Sequence, residues 1–313
     1  MKAYITKRIL LFPFTLLGVI TIVFFILRLV PGDPVLLALG QYADPDSVAK
    51  LTHQLGLDLP IPVQYGRFLF NYLRGDLGYS LKSQNPVTLE VFNALPFTVE
   101  LAFAGMFISV ILGVLAGVVS AVWRNSLVDQ IMRILSLLGI SMPVYWFGLL
   151  LIAFLSLQYQ IFPAFGAGNL FDLNDTLIHL IMPALALGLV NAAGIARISR
   201  SALIDVLSQD YIRTAYGKGA SRRVVVFKHA LKSAAIPIIT IIGLNFGEVL
   251  GGAILTETVF SRPGLGTLLI KGILWRDYPV VQGSVFFVSF AFILINLITD
   301  ITYAFFDPRI KFR

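Results

Sequence analysis

Six stretches of about 20 mainly apolar residues dominate this chain, and a stretch of that length is what one helix needs to cross a bilayer. They run over Ile9–Leu29, Phe97–Val122, Ile134–Leu157, Leu177–Ala196, Ala234–Leu255 and Ser284–Ala304. In hydrocarbon every backbone polar group must be satisfied internally, so a chain built this way folds as a helical bundle. Charged residues make up 13 % of the 313, about half the usual share of a soluble domain. Apolar residues make up 57 %, and the mean hydropathy is +0.84. This excludes an ordinary soluble domain and a disordered chain. Cysteine is absent, which removes disulfides, thiolate metal sites and a cysteine nucleophile. His53, His179 and His229 are too scattered to form a ligand pair, and no metal or cofactor is expected. The first stretch follows Lys7 and Arg8 like a signal peptide. It is too long for one and lacks a small-residue cleavage site, so it reads as a retained anchor.

The charges give an orientation. With the N-terminus inside, segments 1–8, 123–133, 197–233 and 305–313 are cytoplasmic and carry 16 of the 24 Lys and Arg. The outer segments 30–96, 158–176 and 256–283 carry 7. Positive residues accumulate on the cytoplasmic side, so both termini are expected inside. The net charge of +7 thus serves topology and the lipid surface, not nucleic acid. The expected organisation is a tail and first span (1–30), an extracytoplasmic region (31–96), a five-helix core (97–304) and a cytoplasmic tail (305–313).

Small residues recur every fourth position as Gly105, Ser109, Gly113, Gly117 and Ala121, as Ala184, Gly188, Ala192 and Ala196, and as Gly243, Gly247 and Gly251. Such ladders let helices approach closely, either within one subunit or across a dimer seam. Glu248 lies inside the fifth span, where a carboxylate must face protein or water. Asn245 and Thr256 share its stripe at helical spacing, so the three are candidate lining of a transport path.

The loop 197–233 is too long for a simple connection. It reads as two helical stretches, about Ser199–Tyr216 and one starting near Ser221, around a turn at Gly217-Lys218-Gly219. The first stretch places Leu203, Val206, Leu207 and Tyr211 on one face.

Here the chain resembles a known family. Asp210-Tyr211-Ile212-Arg213-Thr214-Ala215, then Lys218-Gly219 and His229-Ala230-Leu231, are similar to the coupling loop of importer-type ABC permeases of the dipeptide/oligopeptide/nickel branch. Val30-Pro31-Gly32-Asp33-Pro34, Gly75-Asp76-Leu77-Gly78 with Ser80, and Ser141-Met142-Pro143 also match. So do Ile254 to Phe260 with Pro263-Gly264, and Arg276-Asp277-Tyr278-Pro279. Tyr216-Gly217 departs from the branch's usual Arg-Ala.

The resemblance implies an all-α, six-span, type I ABC importer permease in a bacterial inner membrane. It implies a second homologous permease as a heterodimer partner, two cytosolic ATPases and an extracytoplasmic solute-binding protein. Tyr211, Arg213, Thr214, Ala215, Lys218, Gly219 and His229 would meet an ATPase. The substrate would be a dipeptide or oligopeptide, or else glutathione, a nickel chelate or an opine-like compound. The chain has no G-x-x-x-x-G-K-[ST] of its own, consistent with a subunit that is not an enzyme. A membrane protease is disfavoured, because Gly139-Ile140-Ser141-Met142 lacks the closing glycine and Pro143 follows. A stand-alone secondary transporter is disfavoured because the halves do not repeat. Segments 31–95 and 256–282 are expected to dock the binding protein, with Asp44 and Asp277 as exposed reporters.

Overall fold

The computed structural model describes residues 2–29, 32, 34–40, 44–169 and 171–306. Pro31, Asp33 and the tail 307–313 lie outside the described residues. In chain order the helices are α1 (Lys2–Leu29), α2 (Pro34–Leu39), α3 (Pro45–Leu55), α4 (Ile61–Leu73), α5 (Val87–Val122), α6 (Leu127–Ser141) and α7 (Val144–Leu151). They continue as α8 (Leu173–Leu207), α9 (Asp210–Gly217), α10 (Arg222–Val224), α11 (Leu231–Ser233), α12 (Ala235–Val259), α13 (Leu265–Trp275) and α14 (Tyr278–Phe306). π-Helical stretches follow α7 (Ile152–Gln158) and α10 (Val225–Ala230). Among the described residues there is no strand beyond an isolated bridge between Tyr79 and Pro86.

Among the described residues five helices, α1, α5, α8, α12 and α14, are long and apolar enough to cross a membrane; α6 and α7, with the π-helical stretch that follows, make a sixth span if counted together. The expected continuous third span is broken. The chain bends by 106° between α6 and α7. Met142 and Pro143 both adopt extended backbone there. A proline disfavours helical backbone in the residue before it and has no N–H to continue the ladder.

The chain folds as two units. Of the described residues, the first comprises 99–262 with the two terminal pieces 2–6 and 294–306. Its centre packs Leu101 and Met106 of α5, Leu180 and Leu187 of α8, and Val249 and Ala253 of α12. Two of the small-residue ladders meet here. A methyl group on Gly113 would fall 2.8 Å from the Ala192 carbonyl, and one on Gly117 would fall 2.8 Å from that of Ala196. One on Gly188 would fall 3.0 Å from the Gly105 carbonyl. The Ser109 hydroxyl donates across the seam to the Gly188 carbonyl at 3.0 Å. These ladders are therefore an intrachain packing surface between α5 and α8. Gly251 of α12 has open space around it instead.

The second unit comprises residues 7–98 and 263–293. Segment 44–86, without a full span, folds around α3 and α4. An aromatic stack runs from Phe24 of α1 through Phe68 and Tyr72 of α4 to Phe286 of α14, with centroid separations of 5.2, 4.4 and 5.5 Å. Asp277 ties distant stretches together. One carboxylate oxygen accepts from the Ser80 hydroxyl at 2.6 Å and the Lys82 N–H at 3.2 Å, and the other from the Val280 N–H at 3.3 Å. Asp277 is buried, so it is a structural hub rather than the exposed reporter expected above. Asp44 is exposed.

Candidate functional site: the helical elbow and the open face of α12

α8 does not stop where its apolar stretch ends. It runs for 35 residues to Leu207, so the expected helical stretch from Ser199 to Tyr216 is two helices, broken at Ser208 and Gln209. α9 then packs back through Ile212, which is buried against Val118, Ala121, Leu203, Val225, Val226 and Ala230. Tyr211 is half-exposed and does not join Leu203 on one face; its hydroxyl donates to Ser233 Oγ at 2.9 Å. The break between α8 and α9 changes the helical phase, which is why Ile212 takes the inward position.

α9 ends in a tight turn. The N–H groups of Lys218 and Gly219 donate to the Thr214 and Tyr216 carbonyls at 3.0 and 2.9 Å, and that of Ala220 to the Ala215 carbonyl at 3.2 Å. Gly219 has φ +80°, left-handed backbone that favours glycine. The elbow is thus fixed by one apolar side while its other side is open. Arg213, Thr214, Tyr216, Gly217, Lys218 and Gly219 are exposed; Ala215 and His229 are half-buried. The Arg213–Asp210 pair, 3.7 Å apart and in water, contributes little. Two residues that sequence reasoning passed over also face outward: Phe227 is 57 % exposed and Val224 41 %. Tyr216 is 44 % exposed as well, so the open side of the elbow carries apolar side chains among its polar ones.

A buried charge network braces the base of the elbow. Asp129 of α6 is fully buried. Arg200 of α8 donates to both its oxygens at 2.7 and 2.9 Å, a bidentate pair. The Ser120 hydroxyl and the Asn125 N–H complete the set. Arg222 of the elbow donates to the Val122 carbonyl at the end of α5. At the far end of α12, Arg262 is also fully buried. It donates to Glu100 at 2.9 Å, and burial lowers its pKa while Glu100 and Glu257 oppose that shift.

The three residues proposed to line a path are separated by the helix. Asn245 and Thr256 are buried, and the Asn245 amide approaches the Asn191 carbonyl of α8 at 3.5 Å. Glu248 is exposed, together with Leu244, Gly251 and Leu255. On a helix with 3.6 residues per turn, Glu248 lies about 60° round from Asn245, enough to clear the seam with α8. The stripe therefore has one open member, and its neighbours on that face are Leu244, Gly251 and Leu255.

Residues 1–102 match the family pattern described as the N-terminal part of binding-protein-dependent transport system membrane components. Residues 109–312 match the pattern described as the inner membrane component of such systems. The chain belongs to this family of binding-protein-dependent transport permeases. It is 41 % identical to the dipeptide transport system permease protein DppB of Alkalihalophilus pseudofirmus, with full coverage of both chains. It is 44 % identical to the glutathione transport system permease protein GsiC of Pectobacterium atrosepticum, again over both full lengths. A solved structure of the MetNI methionine ABC transporter, in an inward-facing conformation, has a chain that superposes with a TM-score of 0.61 at 17 % identity. The match covers 71 % of this permease and 98 % of that chain. The permease is an all-helical, multi-pass membrane protein with the type I ABC importer fold.

Proposed function

We propose that this permease forms half of the translocation path of an ATP-driven importer for dipeptides or short oligopeptides. In this reading an extracytoplasmic binding protein delivers the substrate. A second, homologous permease completes the path, and two cytosolic ATPases dock on the elbows. Both termini are cytoplasmic, which places the elbow inside. The observation that carries the reading is the elbow itself: a short helix anchored on one side and open through Tyr211, Arg213, Thr214, Tyr216 and Lys218 on the other. Relatives named for dipeptide transport support the substrate class. The relatives named for glutathione transport, one of them at 44 % identity, support glutathione as the second reading. Uptake of labelled dipeptide with unlabelled glutathione as competitor separates the two.

The docking assignment is tested by Gly219→Pro and Ala215→Asp. Proline cannot adopt the positive φ at 219 and removes the N–H bonded to Tyr216. Both variants are expected to insert normally yet lose ATPase co-purification and substrate-stimulated hydrolysis. Tyr216→Ala is expected to weaken association about ten-fold. Normal stimulation in all three overturns the assignment.

The path is assigned to the open face of α12. A carboxylate left against lipid would cost roughly 2.5–3.5 kcal/mol on insertion scales, so water or the partner permease covers Glu248. Single cysteines at 248 and 251 should react with a small water-soluble thiol reagent in a nucleotide-dependent way. Those at 245, 250 and 256 should be protected. Equal protection at all five positions removes Glu248 from the path.

A further inference from the structure

The second unit contains a cavity of about 360 Å³ that the transport reading leaves unused. It is within the size range of small-molecule sites. Four parts of the chain converge on it: the end of α1, the turn after α3, α4 with the turn that follows it, and the start of α14.

Its polar lining is dominated by donors. Arg28 is held in place before any ligand arrives. Its Nε donates to Gln64 Oε1 at 2.8 Å, another guanidinium nitrogen donates to the Phe24 carbonyl at 3.1 Å, and its central carbon lies 3.4 Å from the Phe24 ring centroid. Gln64 is fixed in turn by donating to the carbonyls of Leu57 and Leu59. Arg67, one turn further along α4, brings a second guanidinium. Gln282 is 8 % exposed, and its Nε2 has no hydrogen-bond partner among the described residues. The same holds for the buried Tyr72 hydroxyl. Burial raises the Tyr72 pKa, so the phenol remains a neutral donor. The acidic side chain of the lining is Asp76, and one of its oxygens already accepts from the Gly78 N–H at 2.9 Å.

We propose that this cavity binds a small organic carboxylate, about the size of an amino acid or dipeptide. Arg28 and Arg67 face one carboxylate of the lining, Asp76, while Asp58 outside the lining also acts on Arg67; so low a surplus of positive charge suits a monoanion better than a phosphate dianion. Guanidinium presents paired N–H groups that match a carboxylate. Gln282 and Tyr72 supply neutral donors, and Phe68 and Tyr278 supply apolar wall for a side chain.

The test uses the full chain in nanodiscs of phosphatidylcholine alone, with calorimetric titration of N-acetylalanine and N-acetylalaninamide. Saturable binding of the acid below about 10 mM is expected, with the amide weaker by about ten-fold or more. Arg67→Gln should weaken acid binding by about ten-fold, while Arg67→Lys keeps part of it. Gln282→Leu should weaken it as well. Circular dichroism and gel filtration establish that each variant is folded. Acid and amide binding alike, no saturable binding in this range, or an unchanged Arg67→Gln variant would each overturn the proposal. So would displacement of N-acetylalanine when phosphatidylglycerol is added to the disc, which would assign the cavity to a lipid headgroup. The probe need not be a transported substrate, so failure here leaves the importer reading intact.

Discussion

Asp129→Ala should cost about 1.5–3 kcal/mol of folding stability, because it removes the buried carboxylate of a bidentate pair and leaves the partly exposed Arg200 guanidinium without its counter-charge. Asp129 is fully buried and holds four donors at once: both nitrogens of Arg200, the Ser120 hydroxyl and the Asn125 N–H. Asp129→Asn keeps the volume and some hydrogen bonds but not the charge, and it should fall between wild type and alanine. Asp129→Ala combined with Arg200→Ala should recover part of the loss, since no unpaired charge remains. Unfolding of the purified chain in detergent, followed by helical signal against denaturant, measures all three. A loss below about 1 kcal/mol in Asp129→Ala would mean that the network is solvated and weak.

The second large effect is expected at Gly117. An added methyl would sit 2.5 Å from Ser199 Cβ, 2.8 Å from the Ala196 carbonyl oxygen and 3.0 Å from the Arg200 nitrogen. Two of those three atoms are backbone and cannot swing aside. Gly117→Ala must therefore push α5 and α8 apart, at an overpacking cost of about 1–3 kcal/mol, and Gly117→Leu should prevent stable accumulation altogether. Gly251→Ala is the control. Its new methyl meets nothing within 4 Å, so the level in membranes and the thermal midpoint should not fall. If Gly117→Ala and Gly251→Ala behave alike, the seam is looser than the distances imply.

Local sequence patterns foretold much of this architecture and missed what depends on remote partners. Apolar length located five spans, and four-residue spacing located the ladders of α5 and α8, because both are properties of a single helix. The break at Met142-Pro143 was hidden because the residues on either side are equally apolar, and apolarity alone does not distinguish a straight span from a bent one. The Asp129–Arg200 and Glu100–Arg262 pairs join residues 71 and 162 positions apart, so no window along the chain reveals them. The stripe of Asn245, Glu248 and Thr256 was legible as a stripe. Which of its edges α8 covers was not, since that depends on the rotation of one helix against another. Ile212 replaced Tyr211 as the anchor of α9 because a two-residue interruption resets the helical phase.

α8 has mechanical properties that follow from its length. At 1.5 Å per residue its 35 residues make a rod about 52 Å long, well beyond a hydrocarbon layer of about 30 Å. The middle of the rod is gripped: Met182, Ala186, Leu187 and Ile195 are almost wholly buried, and Arg200 is clamped by Asp129. A rod gripped along its middle behaves as a lever. A tilt of about 10° around its midpoint displaces each end by about 4–5 Å, close to the rise of one helical turn. Pro183, buried about two turns from the midpoint, removes one backbone hydrogen bond and is where the rod would bend most readily. Force applied to the elbow would therefore arrive at the opposite end of α8 as displacement, with compliance concentrated at a single proline.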